Sequence, residues 1–148
     1  HAGEEGPAAY VRESVDVLQV ERIDHGNASI DDPDLLRLLA DRQIPLTMCP
    51  LSNLKLNVVT SIEAHPLREL MSHGLRVTVN SDDPSYFGGY VNDNYLACQA
   101  AFGLTRGELV ALARNSVLAS FMPPARRDAA LAAIADYDRR APAWSVAG

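Results

Sequence analysis

Leu75-Arg76-Val77-Thr78-Val79-Asn80-Ser81-Asp82-Asp83-Pro84 is a β-branched, apolar stretch that runs into two adjacent carboxyls. Residues 75–79 suit a pleated, buried strand, and the Asn-Ser-Asp-Asp-Pro tail is turn chemistry, so polar side chains collect just past the strand's C-terminal end. Upstream, His65-Pro66 opens an apolar stripe at helical spacing, Leu67, Leu70 and Met71, which Gly74 closes. The same helix-then-strand order occurs twice more. Asp31-Asp32-Pro33 offers capping carboxyls and a helix-compatible proline before Leu35, Leu36, Leu38 and Leu39, and residues 44–48 follow as a strand that stops at Cys49-Pro50. After Pro7, Ala8, Val11, Val15 and Leu18 repeat at helical spacing, and residues 20–23 then end in Asp24-His25-Gly26. Three such units in tandem predict an α/β fold with a parallel sheet.

Beyond residue 90 the pattern is helical. Residues 95–102 are apolar, Thr105-x-x-Glu108 forms a capping box before Leu109, Val110 and Leu112, and Pro124 starts a last helix through Leu131, Ile134 and Tyr137. These helices are expected on the outer wall of the sheet, and the end, residues 142–148, reads as frayed, with Trp144 able to dock on the body.

With 148 residues the chain is long enough for one compact domain, and 47% hydrophobic with 22% charged residues is ordinary for a globular protein. A net charge of -6 and a pI near 5.1 argue against nucleic acid as a partner, because phosphate neutralisation needs clustered Lys and Arg, and Lys55 is the only lysine. Cys49 and Cys98 fall in different elements without C-x-x-C spacing, which fits two reduced thiols in a cytoplasmic protein. No apolar run approaches the roughly 18 residues of a membrane span, so a membrane is not an expected partner either.

Every strand-to-loop junction carries polar chemistry. His1 and Glu4 stand at the front, His25 after the first strand, Ser52 and Asn53 past the second, Asp82 and Asp83 past the third. In a (β/α)8 barrel the site lies at the C-terminal mouth of the strands, where residues scattered in sequence converge, and such a barrel takes about 250 residues. Three strands and the tip of a fourth lead us to expect a late portion of that fold with additional C-terminal helices. On this reading residues 1–148 form a single incomplete domain that lacks the N-terminal strands.

A catalytic zinc takes three or more His and carboxylate ligands and leaves a position for water, and His1 and Asp82 are the candidate ligands. Glu4 is close enough to His1 to face the same cavity as a general acid, although a glutamate near a helix start also answers the macrodipole. His25, between Asp24 and Gly26, suits a residue that orients or deprotonates water, and suits equally a core histidine bonded to backbone. Adjacent Asp82 and Asp83 cannot point the same way from a strand, which divides them between metal and substrate. His65 and His73, at the two ends of a predicted helix, read as capping or surface residues, and Cys49 as a small buried hydrophobe. Gly88-Gly89 permits a tight turn or close backbone approach, and the flanking Tyr86, Phe87 and Tyr90 are able to wall a flat heterocycle or to fill core.

In order and spacing, His1-Ala2-Gly3-Glu4, Arg22-Ile23-Asp24-His25-Gly26, Cys49-Pro50-Leu51-Ser52-Asn53, Val79-Asn80-Ser81-Asp82-Asp83-Pro84 and Leu112-Ala113-Arg114-Asn115-Ser116 resemble the adenosine and adenine deaminase family. The resemblance covers nearly the whole chain. The extended forms Glu4-Glu5-Gly6-Pro7, Asp24 before His25, and Asp83-Pro84-Ser85-Tyr86-Phe87-Gly88-Gly89-Tyr90 are most similar to the branch that acts on free adenine. The resemblance implies a (β/α)8 barrel of metal-dependent hydrolase type with one zinc, hydrolysing adenine to hypoxanthine and ammonia in cytoplasmic purine salvage. Carried over position by position, it implies His1 and Asp82 as zinc ligands, Glu4 as the proton donor, His25 as the residue assisting the water and Asp83 as a substrate contact. The family's other two zinc ligands, a His-x-His pair on the first barrel strand, have no counterpart here, so the isolated chain is expected to be inactive. Two alternatives stand beside this reading. A nucleoside or N6-substituted adenine serves as substrate in the first, and in the second the chain is a catalytically dead remnant or an interaction module.

Overall fold

The computed structural model describes residues 1–142. Three parallel strands, β1 (Ile23–Asp24), β2 (Leu46–Met48) and β3 (Val77–Val79), lie in the order β1-β2-β3. Around them run α1 (Ala8–Asp16), α2 (Pro33–Arg42), α3 (Pro50–Lys55), α4 (Leu67–Ser72), α5 (Pro84–Phe87), α6 (Val91–Phe102), α7 (Arg106–Leu118) and α8 (Pro124–Arg140). The register sets Ile23 beside Leu46 and Leu46 beside Val77, then Asp24 beside Thr47 and Thr47 beside Thr78. Because successive strand side chains point to opposite faces, one face is an apolar ladder and the other a polar one. The apolar ladder packs with Val11, Val15, Leu35, Leu39, Leu67 and Leu70 in one core, where each fully buried leucine contributes roughly 1.5–3 kcal/mol.

The caps read from the sequence position the helices. Asp32 accepts hydrogen bonds from the N–H groups of Asp34 and Leu35, both at 3.0 Å, and Pro33 takes the first helical position of α2. At α7 the Thr105 hydroxyl accepts from the Glu108 N–H at 3.3 Å while the Glu108 carboxylate accepts from the Thr105 N–H at 2.8 Å. Asn115 on α7 donates from Nδ2 to the Val77 carbonyl at 2.9 Å, which ties this helix to the outer strand of the sheet.

Several expectations need correction. Leu18 does not continue α1, which stops at Asp16; it is 71% exposed, and Gln19 turns the chain with φ 53° toward β1. The strands are shorter than their apolar runs. Three short helical pieces begin just past strand ends: a 3-10 turn at Asn27–Asp31, α3 and α5. In α3 and α5 the proline that ends the strand also occupies the first turn of a helix, where its missing N–H costs nothing. Trp144 lies outside the described residues. Among those residues no helix is long and apolar enough to cross a membrane.

Candidate active site

The N-terminal segment joins the sheet as the tip of a further parallel strand. Ala2 donates its N–H to the Asp24 carbonyl at 3.2 Å and accepts from the Gly26 N–H at 2.9 Å. This contact carries His1 to the mouth of the sheet, with its ring centroid 4.9 Å from that of His25. Gly3 follows at φ +68°, in a space where a Cβ would come within 2.5 Å of Val11, so a glycine is required to turn Glu4 inward.

Two other strand ends break in the same way. His25 has φ 67° and Asp82 φ 55°, the left-handed region that bulky residues avoid and that clusters at functional sites. His25 is only 1% exposed. His1, Asp24, His25, Cys49, Asn80 and Asp82 line one cavity of about 350 Å³. Within it, one ligand atom each of His25, Cys49 and Asp82 lies within 4.8 Å of the others, while His1, expected as a ligand beside Asp82, lines the same cavity outside that set. Imidazole nitrogen and carboxylate oxygen are donors that zinc accepts, so the donor set fits that ion. The Ser52 hydroxyl donates to Asp82 Oδ2 at 2.7 Å, and the Thr47 hydroxyl donates to Asp24 Oδ1 at 2.7 Å, holding both carboxylates at the rim. Burial, reinforced by the charges of Asp82, Glu4 and Asp24, pushes the Cys49 thiol up to about 12, so it stays protonated, as expected of an inert buried cysteine.

Glu4 occupies the next position. Its Oε1 accepts from Asn53 Nδ2 at 3.0 Å and lies 3.4 Å from His25 Nδ1. A second, larger cleft of about 800 Å³ takes Glu4, Asn27 and His65 into its wall, so Glu4 lines this cleft rather than the cavity that His1 lines, which corrects the expectation that the two face one cavity. Asp83 stands apart. It is exposed at the start of α5, and its carbonyl accepts from the N–H groups of Tyr86 and Phe87. Tyr86 and Tyr90 are exposed rather than core, while Gly89 makes the close approach its sequence allowed, against Leu51.

Sequence reasoning placed Asn53 at a strand end but gave it no role, and it is the centre of this arrangement. Asn53, fully buried, accepts at Oδ1 from Asn27 Nδ2 at 3.0 Å and contacts His65 Nε2 at 3.0 Å, besides bonding Glu4. His65 therefore corrects the expectation of a surface residue. It does anchor the start of α4, by accepting the Leu67 N–H at 3.1 Å, but it is buried and its ring is pushed down to about 4, first by burial and then by His25. The available signal was a histidine before proline, which states a helix start and says nothing of what the other ring nitrogen meets. His73 is exposed, as read.

Imidazoles and carboxylates delivered by the C-terminal ends of parallel strands are the arrangement of α/β-barrel enzymes. A family model described as Adenosine deaminase matches residues 1–137. The chain belongs to that family. It is 59% identical over 137 residues to an adenine deaminase of Rhodopseudomonas palustris, covering 93% of this chain and 40% of that protein. An adenine deaminase of Streptomyces coelicolor is 57% identical over 122 residues, covering 82% and 36%. Among solved structures, adenine deaminase from Arthrobacter aurescens superposes with TM-score 0.91 at 47% identity, covering 94% of this chain and 42% of that one. An amidohydrolase from Burkholderia ambifaria with bound Zn gives TM-score 0.85 at 26% identity, covering 94% and 39%. The chain thus spans about 40% of the length of the curated relatives it matches, and its sheet and helices form part of a barrel of this kind.

Proposed function

We propose that these residues belong to a zinc-dependent adenine deaminase, which hydrolyses adenine to hypoxanthine and ammonia in cytoplasmic purine salvage. One observation carries the reading: His1, Glu4, His25 and Asp82, from three separate segments, meet at one edge of the sheet, in a chain most of which matches adenine deaminases. His1 and Asp82 would hold the ion, and the remaining ligands of a catalytic site would come from barrel strands outside these 148 residues. Residues 1–148 are on this reading a single incomplete domain. Zinc, when bound, supplies Lewis acidity that makes water a competent nucleophile near neutral pH.

The chain's own residues do the proton work. Glu4 protonates a ring nitrogen beside C6, so that the purine accepts electrons as water adds without becoming an isolated anion. His25, buried against Glu4, orients the water and takes up its proton. Asp83 contacts the imidazole edge of the base, and ammonia leaves once the exocyclic nitrogen is protonated. The test is ammonia release by the protein that carries this chain, with zinc content measured alongside, on adenine, adenosine and an N6-alkyl adenine. Turnover of adenine with stoichiometric zinc is the expected result. Activity on adenosine alone overturns the free-base assignment, and inactivity on all three with zinc loaded overturns the enzyme.

A further inference from the structure

His65 contributes no donor to the cavity and no step to the reaction above, yet it is 3% exposed and both ring nitrogens are engaged. One unambiguous group reveals the polarity of those contacts. The backbone N–H of Leu67 only donates, so His65 Nδ1, at 3.1 Å, is the acceptor and carries no proton. The neutral ring then bears its proton on Nε2, which donates to Asn53 Oδ1 at 3.0 Å. Asn27 Nδ2 brings a second donor to the same oxygen at 3.0 Å, so the carboxamide cannot turn over without setting N–H against N–H. Its nitrogen is thereby committed to the opposite side, where it donates to Glu4 Oε1 at 3.0 Å.

We propose that His65 is a positioning residue for this site: acting through Asn53, it holds Oε1 of Glu4 as a hydrogen-bond acceptor, so that the proton Glu4 transfers resides on Oε2. The proposal rests on Glu4 being the proton donor and adds the group that decides which of its oxygens donates. An unconstrained carboxyl protonates on either oxygen and rotates. With the Asn53 N–H against Oε1, a proton there would oppose a buried donor, which the low-dielectric surroundings penalise strongly.

Two substitutions separate anchoring α4 from orienting Asn53. His65→Asn places an acceptor where Nδ1 stands, as an asparagine does in bonding the N–H two residues on, and removes the Nε2 donor. His65→Gln reaches the Nε2 position and gives up the Leu67 contact. In the isotope-labelled protein that carries this chain, NMR should show His65 neutral at pH 7 with its proton on Nε2, and slowly exchanging Asn53 carboxamide protons. His65→Asn should speed that exchange about tenfold while the Leu67 amide stays protected, and His65→Gln should do the reverse. In the protein that turns over, kcat should fall about tenfold in His65→Asn with KM unchanged, and recover in His65→Gln. A proton on Nδ1, Asn53 exchange unmoved in His65→Asn, or an unaltered kcat in that variant overturns the proposal. The tautomer and exchange signals need no turnover, so failure of the deaminase reading registers separately, as absent ammonia release with these signals intact.

Discussion

At the mouth of the sheet, Asn53 gathers Glu4, His25, Asn27 and His65 within 3.4 Å in a nearly dry setting, whereas α8 buries none of its residues and carries its charges outward. Both regions are rich in polar pairs. On α8, Asp136 pairs with Arg139 and Arg140, and Asp138 with Arg106 on the neighbouring helix. The Asp136 pairs sit in water, which screens them and leaves long side chains to be ordered for little return, and the Arg106–Asp138 pair is half-buried. The Asn53 network has no such escape at Asn27, Asn53 and His65: a bond unmade there leaves a buried group without water, as Asn27 Oδ1 is already without a partner, so the network favours one geometry. The same residue types thus give surface solubility in one place and a single fixed arrangement in the other, and desolvation is the difference.

The comparison is tested most severely at Glu4. Glu4→Gln keeps the oxygen that accepts from Asn53 but carries no transferable proton, so kcat of the protein containing this chain should fall about 10²–10⁴-fold while stability barely moves. Equal losses of activity and stability would mean that the carboxyl is structural. Asn53→Leu should cost about 3–5 kcal/mol in urea denaturation, because it strands the donors of Asn27 and His65 together with the Glu4 carboxylate. A loss no larger than that of a surface asparagine would erase the contrast with α8.

Acid provides a graded version of the same test. His65 is held neutral with its ring pushed down to about 4 from 6.5. The unfolded chain therefore takes up the proton first as pH falls, and stability fully present above about pH 6.5 is lost on the way to pH 4, by about 3 kcal/mol. Urea midpoints collected across that range should show the slope, and His65→Asn should flatten it. Gly89→Ala should cost about 1–3 kcal/mol, since the added Cβ falls 2.4 Å from Leu51, beside Ser52 and Asn53, at φ +79°. Arg139→Ala and Arg140→Ala, at the exposed end of α8, should leave the urea midpoint where it is.

Much of the fold was legible because local rules and burial agree. The Asp32 and Thr105 caps, the helical stripes through Val11, Leu35 and Leu67, and the β-branched run into Asp82 each announce themselves within a few residues. The short turns α3 and α5 did not, because Pro50 and Pro84 are equally good as strand stops and helix starts. Among site residues, motif spacing brought out His1, Glu4, His25 and Asp82, which the structure gathers at one edge; Asp83 is exposed and lines neither cavity.

The order of helices and strands, the acidic character and the strand-end position of each carboxylate and imidazole follow from the chain alone, since they depend on neighbours a few residues away. That His65, twelve residues beyond Asn53, closes a buried network on Glu4, 49 residues before it, was decided only by tertiary packing. A hydrogen bond between distant segments leaves no periodicity in the sequence, and burial, which gives such a bond its consequence, exists only once the sheet and helices have closed around it.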